Sequence, residues 1–170
     1  MSSSAQTVTA ETTGSGPTGS ETDGATTPDV LALENQVCFA LAVAARGVIG
    51  LYRPVLEPLG LTHPQYLVML ALWERSPRTV RDLGDALQLE PATLSPLLKR
   101  LEAQGYVARD RNPADERALN ITLTDAGARL REQALGVPPQ IVARLGVELE
   151  ELERLRSQLT DVIAAVRATR

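Results

Sequence analysis

The chain has 170 residues, of which 44% are hydrophobic and 22% charged, and its formal net charge is −4. This length and composition predict one folded domain, with or without a tail. Because aromatic residues make up only 3% of the chain, the core must be mainly aliphatic. The negative net charge excludes binding to nucleic acid through an overall positive charge. Binding through a local stripe of basic residues is not excluded.

The cysteine and histidine content excludes two further kinds of structural feature. One cysteine, Cys38, and one histidine, His63, exclude an intrachain disulfide and a structural zinc site of Cys and His ligands. We expect no resident metal or cofactor. We also expect no apolar run long enough to cross a membrane, and therefore a soluble, reducing, cytoplasmic setting.

Residues 1–28 differ in composition from the rest of the chain. Ser, Thr, Gly and Pro fill 19 of these 28 positions, and aromatic residues, lysine and arginine are absent. Such a segment buries too little apolar surface to offset the entropy cost of ordering, so we predict a disordered tail. It also lacks the basic start and apolar centre of a signal peptide.

The folded part is predicted to span residues 29–170 and to begin with a long helix. Asp29 is a good N-cap, and apolar residues recur at spacings of three and four from Val30 to Tyr52. The pattern breaks between Pro54 and Gly60. We therefore predict an amphipathic helix that starts at Asp29.

Three shorter helices are predicted next. Thr62 and Gln65 have the spacing of a capping box for a helix that runs to about Glu74, and Thr79 starts another. The third runs from about Pro91 to Gln104. Four leucines form its buried face: Leu94, Leu97, Leu98 and Leu101.

The periodicity then changes from 3.6 to 2. Residues 106–110 are predicted to form a strand, residues 112–115 a turn, and residues 119–123 a second strand. Thr124 can cap the following helix. After Pro138 and Pro139, leucines and valines recur at near-heptad spacing, which is typical of a helix that packs against another helix.

Helices followed by a two-stranded hairpin predict a mainly α fold with a small β-hairpin wing, a winged helix-turn-helix, over residues 61–125. Segments 29–60 and 126–170 are predicted to be dimerisation helices, because they exceed what one small winged domain can cover. The outer side of the third short helix suits the major groove, and hairpin arginines suit a narrow minor groove. The candidate DNA-binding residues are Thr93, Ser95, Lys99, Arg100, Arg109, Arg111 and Arg117. A solvated surface on an ordinary small helical domain stays open as a second interpretation.

Residues 79–127, TVRDLGDALQLEPATLSPLLKRLEAQGYVARDRNPADERALNITLTDAG, closely resemble the MarR family of bacterial winged-helix transcription regulators. The segment Asp115-Glu116-Arg117 matches the acidic-x-Arg motif of the family's wing. The resemblance implies an obligate homodimer whose terminal helices form the interface, and a near-palindromic double-stranded DNA operator, usually bound as a repressor. It further implies that Arg117 enters the minor groove and that Asp115 braces a neighbouring wing arginine.

The surroundings of Cys38 resemble one branch of that family. The segment LENQVCFAL, residues 33–41, is similar to the organic-hydroperoxide sensors, as are Tyr52-Arg53-Pro54 and LTHPQY, residues 61–66. In that branch this cysteine is the sensor, which a peroxide oxidises to a sulfenic acid. With one cysteine per chain, the resemblance is to the subtype in which a low-molecular-weight thiol traps the sulfenic acid or oxidation proceeds further. A small buried hydrophobic role for Cys38 stays open.

Spacing constrains which residues can reach Cys38. Tyr52 is 14 residues away, or about 21 Å on one continuous helix, so it can approach the sulfur only from a partner subunit. In the resembled branch, tyrosines from the partner donate hydrogen bonds to the sensor sulfur, and we assign this role to Tyr52. The branch often has tyrosines where this chain has Ala42 and His63. We predict that His63 replaces one tyrosine donor; a first-turn histidine without a role is the alternative.

The sequence therefore predicts a homodimeric DNA-binding repressor that senses organic hydroperoxides by oxidation of Cys38 and then releases its operator. A second interpretation keeps the repressor but has a small aromatic or lipophilic ligand release it, with Cys38 structural. An enzyme, namely a thiol peroxidase, is disfavoured because no resolving cysteine or acid-base group accompanies the thiol. A helical interaction module without DNA binding is the remaining alternative.

Overall fold

The computed structural model describes residues 29–112 and 115–169, and for residues 112 and 115–118 it describes the backbone alone. Within this part, seven α-helices and three strands follow the order of a winged helix-turn-helix. Their bounds are α1 Val37–Leu56, α2 His63–Glu74, β1 Arg78–Thr79, α3 Val80–Leu87, α4 Pro91–Ala103, β2 Val107–Asn112, β3 Asp115–Leu123, α5 Asp125–Ala134, α6 Val137–Leu145 and α7 Leu149–Ala168. The predicted mainly helical fold with a β-hairpin wing is confirmed. The predicted disorder of residues 1–28 lies outside the described part.

The prediction that the first helix starts at Asp29 is wrong. The carboxylate of Asp29 accepts a hydrogen bond from the backbone N–H of Leu31 at 2.9 Å, which is a local turn rather than a helix cap. A short 3-10 turn follows at Leu33–Asn35, and Gln36 is extended. Regular helix begins only at Val37, so Cys38 lies in the first turn of α1.

The starts of α2 and α3 agree with the predicted capping residues. The Gln65 side chain reaches back to accept from the Thr62 backbone N–H at 2.9 Å. The Thr79 hydroxyl accepts from the Asp82 N–H at 3.0 Å, while the Asp82 carboxylate accepts from the Thr79 N–H at 3.2 Å. The bond at Thr62 and the reciprocal pair at Thr79 satisfy backbone donors that a helix start otherwise leaves unpaired, so the helices begin where the sequence places them.

The sheet has one strand more than the sequence predicted. β1 pairs with β3, which also pairs with β2, and all pairs are antiparallel. A two-residue strand is too short to show a period of two, which explains why it was missed. By pairing with the base of the wing, β1 ties the hairpin to the helix-turn-helix.

The C-terminal part contains two helices, α6 and α7, where the sequence predicted one stretch after Pro138 and Pro139. A break separates α6 from α7, where Gly146 adopts a left-handed backbone conformation with φ of 63°. Glycine tolerates this conformation because it has no Cβ. Helix α6 packs beside α1 and contributes Val137 and Ile141 to the core, whereas no described residue of α7 is buried.

The core lies where α2, α3, α4 and the sheet meet the ends of α1, α5 and α6. Its largest fully buried side chains are aliphatic, as the composition predicted: Leu56, Met69, Leu72, Leu83, Leu94, Leu98, Leu101 and Ile121. Trp73 donates from Nε1 to the backbone oxygen of Gly127 at 2.8 Å, which joins α2 to α5. Helices α3 and α4 and the wing therefore pack on one common aliphatic core.

The expectation that no apolar run is long enough to cross a membrane is wrong by length and composition. The helical stretch Val37–Leu59 has 23 residues and is sufficiently apolar. Arg46 lies near its centre, where a bilayer would have to accommodate a charge at considerable cost. Its last turns pack into the core through Val55 and Leu56. These two features favour a helix whose apolar face is covered by protein.

Candidate nucleic-acid interface and sensor site

Helix α4 presents the predicted groove-reading surface. It begins at Pro91, where the missing N–H of proline costs least, and it buries Leu94, Leu98 and Leu101. This burial turns the opposite side of the helix outward. The four predicted residues there, Thr93, Ser95, Lys99 and Arg100, are all exposed. Polar and cationic side chains on an exposed helix suit contacts with base edges and phosphates.

The wing contributes two described arginines in different environments. Arg111 is exposed, whereas Arg109 donates from Nε to the Glu102 carboxylate near the end of α4 at 2.7 Å. Arg109 therefore connects the wing to α4, and its predicted DNA contact stays a prediction. Asp115 and Arg117 lie on β3, but their side chains are outside the described part, so their predicted roles stay untested.

Glu102 is a residue that sequence reasoning missed. The carboxylate meets Arg109 only because the chain reverses between α4 and β2, where Gly105 has a positive φ of 76°. A helical or strand periodicity carries no signal for such a pair. Glu102 and Arg109 are seven positions apart in the sequence, and only the geometry of the turn between them predicts that they meet.

The geometry of α1 supports the distance argument about Cys38. The helix runs without interruption from Val37 to Leu56, so Cys38 and Tyr52 are about 21 Å apart along one axis. Cys38 is exposed in the chain. Tyr52 therefore cannot contact the thiol of its own chain.

Tyr52 and His63 are brought together by the turn between α1 and α2. Their ring centroids are 4.8 Å apart in an edge-to-face arrangement, and Tyr66 lies 6.0 Å from Tyr52. Burial lowers the pKa of His63, so burial favours the neutral imidazole, which retains one N–H donor. Burial likewise raises the pKa of Tyr52, which keeps its hydroxyl proton available for donation.

A groove of about 550 Å³ opens beside His63. Its lining is mixed: Ile49, Leu61 and Pro64 are apolar, while Arg53 and Glu57 are charged. Ile49 and Glu57 were not singled out from the sequence, because they belong to the site only through the reversal of the chain after α1. Among the described residues, no group of three or more His, Cys, Asp or Glu side chains could hold a metal ion.

Comparisons with known proteins decide the family. The MarR family profile matches residues 61–119. The chain is 43% identical over 131 residues to the organic hydroperoxide resistance transcriptional regulator of Bacillus subtilis (strain 168), covering 77% of this chain and 89% of that protein. The chain belongs to the MarR family. As a MarR-family protein it is a DNA-binding transcriptional regulator. That α4 and the wing contact the DNA stays a prediction.

Solved structures agree with this assignment. AbfR of Staphylococcus epidermidis is 36% identical and superposes with a TM-score of 0.68, covering 80% of this chain and 94% of that one. AbfR is known in a reduced form bound to DNA and in an overoxidized form bound to DNA. MarR of E. coli, at 24% identity and a TM-score of 0.63, shares the fold.

Proposed function

We propose that this MarR-family regulator is a homodimeric repressor that senses organic hydroperoxides through Cys38 and then releases a near-palindromic operator. The observation that carries the proposal is the arrangement of α1. The helix holds an exposed thiol at one end and the hydroxyl of Tyr52 about 21 Å away near the other, where the ring of Tyr52 contacts His63 at the start of α2. Two copies of α1 that cross would place each thiol beside the partner's donors.

Uncovered apolar surface on two helices supports the dimer. Large apolar side chains at least 38% exposed occur along α1 at Val37, Phe39, Leu41, Val43 and Ile49, and along α7 at Leu149, Leu155, Val162, Ile163 and Val166. Exposed apolar surface of this extent is typical of an interface. Two-fold symmetry would then set the two copies of α4 about 34 Å apart, which is one turn of DNA.

The proposed sensing step begins with the Cys38 thiolate. Its sulfur attacks one peroxide oxygen, an S–O bond forms, and the O–O bond breaks. The departing alkoxide takes a proton and leaves as an alcohol, so Cys38 becomes a sulfenic acid. The N–H of neutral His63 and the hydroxyl of Tyr52, both from the partner, would hold the sulfur anion in place.

A second chemical step is proposed for release. A low-molecular-weight thiol condenses with the sulfenic acid, which gives a mixed disulfide and water. We assign release to this bulkier product because the overoxidized AbfR structure is bound to DNA, so extra oxygen atoms alone do not prevent binding in that relative. A packed interface switches between discrete arrangements, so the adduct would rotate the winged domains out of register with the two half-sites.

The relatives support the redox signal by their described functions. The Bacillus subtilis protein is an organic hydroperoxide resistance regulator, and a disulfide-formed structure of AbfR exists. We propose no enzymatic activity. Because the regulator acts on DNA, we place it in the cytoplasm.

A second candidate function rests on a different groove. A space of about 290 Å³ between α2, α5 and α6 is lined mainly by apolar residues, including Tyr66, Leu70, Trp73 and Leu135. Such a groove fits a small aromatic or lipophilic ligand. In this alternative the ligand releases the operator and Cys38 is structural.

The decisive experiment is DNA binding by fluorescence anisotropy at fixed salt, using DNA from upstream of the regulator's own gene. Reduced wild type and Cys38→Ser are each titrated with an organic hydroperoxide, with and without a small thiol. We expect both proteins to bind and only wild type to be released, most completely with thiol present. Release of Cys38→Ser by hydroperoxide would refute the sensor role. Ligand-driven release that survives in Cys38→Ser would favour the second candidate.

A further inference from the structure

A chain of hydrogen bonds joins the start of α2 to the end of α4. The Gln65 side-chain oxygen accepts from both the backbone N–H and the hydroxyl of Thr62, each at 2.9 Å. The Gln65 amide nitrogen donates to the Gln104 side-chain oxygen at 3.0 Å. Gln104 in turn donates to the backbone oxygen of Gly60 at 2.7 Å. We call these four residues the glutamine bridge.

Because Gln65 is buried, the loss of any of its hydrogen bonds would be costly. Its side chain is 3% exposed, and it is the one buried polar side chain among the described residues. A buried amide that loses a partner is penalised by its desolvation, so Gln65 and Gln104 are expected to move together rather than separate. The glutamine bridge is therefore a stiff connection between two elements that are 39 residues apart in sequence.

The position of the glutamine bridge is what gives it a role. At one end, Thr62 and Gln65 flank His63, the residue that faces Tyr52. At the other end, Gln104 is the C-cap of α4, the helix that carries the exposed side chains predicted to contact DNA. The hydroxyl of Tyr106, just before the wing, donates to the backbone oxygen of Leu59 at 3.3 Å, so the same turn also holds the wing.

We propose that Gln65 and Gln104 are positioning residues that transmit a displacement at His63 to α4 and the wing. This inference rests on the proposed function. When the thiol-bearing Cys38 of the partner occupies the space beside His63, the first turn of α2 and the Gly60 turn are displaced. Gln104 follows because it is bonded to both, and α4 rotates with its C-terminal end.

The test compares Gln104→Ala with the matched control Gln140→Ala in the full-length protein. Gln140 is also exposed and also donates to a glycine backbone oxygen, that of Gly136 at 2.9 Å, but it lies on α6 away from α4. For each protein, DNA affinity is measured in the reduced form and after hydroperoxide plus thiol. We expect the ratio of the two affinities to fall by about 5-fold or more in Gln104→Ala and to stay at the wild-type value in Gln140→Ala.

A graded variant separates transmission from folding. In Gln104→Glu the carboxylate still accepts from Gln65 but no longer donates to Gly60, so we expect an affinity ratio between those of Gln104→Ala and wild type. Thermal melting verifies that each variant is folded. If wild type is released and Gln104→Ala is released equally, or if its affinity falls by one factor in both redox forms, the positioning role is wrong. If wild type itself is not released, the proposed function fails instead.

Discussion

The ring of Tyr52 meets the imidazole of His63 at an angle of 64°, with the ring centroids 4.8 Å apart. One residue comes from α1 and the other from the first turn of α2, so one protomer holds both donors in a single cluster. In the proposed dimer, each Cys38 would therefore be served by one ring pair of its partner. Edge-to-face packing fixes the orientation of both rings, which favours a prearranged donor pair.

Removing the Tyr52 hydroxyl is expected to slow sensing without disturbing the cluster. Tyr52→Phe keeps the ring beside His63 but loses the hydroxyl that we propose donates to the sulfur anion. A hydrogen bond to a charged group is worth about 1.5–3 kcal/mol, so we expect oxidation of Cys38 to slow by about 10-fold or more. The rate is measured by mass spectrometry after timed exposure to hydroperoxide. Tyr66→Phe, one ring further away, serves as the control, and equal rates in both variants would contradict the donor role.

The histidine makes stability dependent on pH in a defined window. Burial holds the pKa of folded His63 below its ordinary value of 6.5. As the pH falls, His63 of the unfolded chain is therefore protonated before His63 of the folded chain. The contribution of His63 to the free energy of unfolding is complete above pH 6.5 and is lost as the pH falls below that value. We expect the melting temperature of wild type to decline from pH 7.5 to 5.5 more steeply than that of His63→Gln.

A second titrating group lies outside that window and does not confuse the comparison. The hydroxyl of Thr79 lowers the pKa of Asp82 below its ordinary value of 3.8, so its contribution is lost only in more acidic solution. Equal slopes for wild type and His63→Gln between pH 7.5 and 5.5 would mean that His63 is not buried in the folded protein.

Gly127 is a position where no side chain fits. A Cβ built there would lie 2.0 Å from the backbone oxygen of Tyr106, so α5 would have to move away from the base of the wing. We expect Gly127→Ala to destabilise the protein by about 1–3 kcal/mol or more. Gly136→Ala is the control, because its Cβ would meet atoms only at an ordinary 3.6 Å. Chemical denaturation measures both, and equal midpoints would contradict the close packing.

The sequence predicted those elements whose signals are local. The capping residues Thr62 and Thr79, the leucine face of α4 and the second wing strand each rest on neighbours within four positions, and the structure has these elements. Two side chains differ from the predicted pattern, because Leu97 is half-buried and Leu119 is 42% exposed. Asp29 misled because a carboxylate can close a turn as well as cap a helix, and only the following residues decide between the two. The break at Gly146 was hidden by a heptad pattern that continues on both sides of it.

The residues of the site likewise fall into those predicted by local patterns and those that depend on the tertiary structure. The exposure of Lys99 and Arg100 followed from the helical period, whereas the meeting of Gln65 with Gln104 and of Glu102 with Arg109 depends on the path of the chain between elements. No periodicity encodes such pairs. They form where two turns bring polar ends of helices together, which requires the tertiary structure.

The pair formed by Glu102 and Arg109 allows a test whose two outcomes have opposite signs. If Arg109 braces the wing against α4, Glu102→Gln frees the wing and weakens DNA binding. If Arg109 instead contacts phosphate, the same substitution releases its charge and removes a nearby negative charge, so binding strengthens. Both side chains are partly exposed, and such pairs are worth up to about 1 kcal/mol, so we expect a loss of about 2- to 5-fold in affinity.

A matched substitution corrects for net charge. Glu74 forms an ion pair with Arg78 at 2.7 Å, so Glu74→Gln breaks a surface pair with the same change in charge but away from the connection between α4 and the wing. Affinities of wild type, Glu102→Gln and Glu74→Gln for the same DNA are compared at two salt concentrations. A brace predicts weaker binding for Glu102→Gln alone, with the salt dependence of wild type, because no phosphate contact is gained. Tighter binding with a steeper salt dependence would instead identify Arg109 as a phosphate contact.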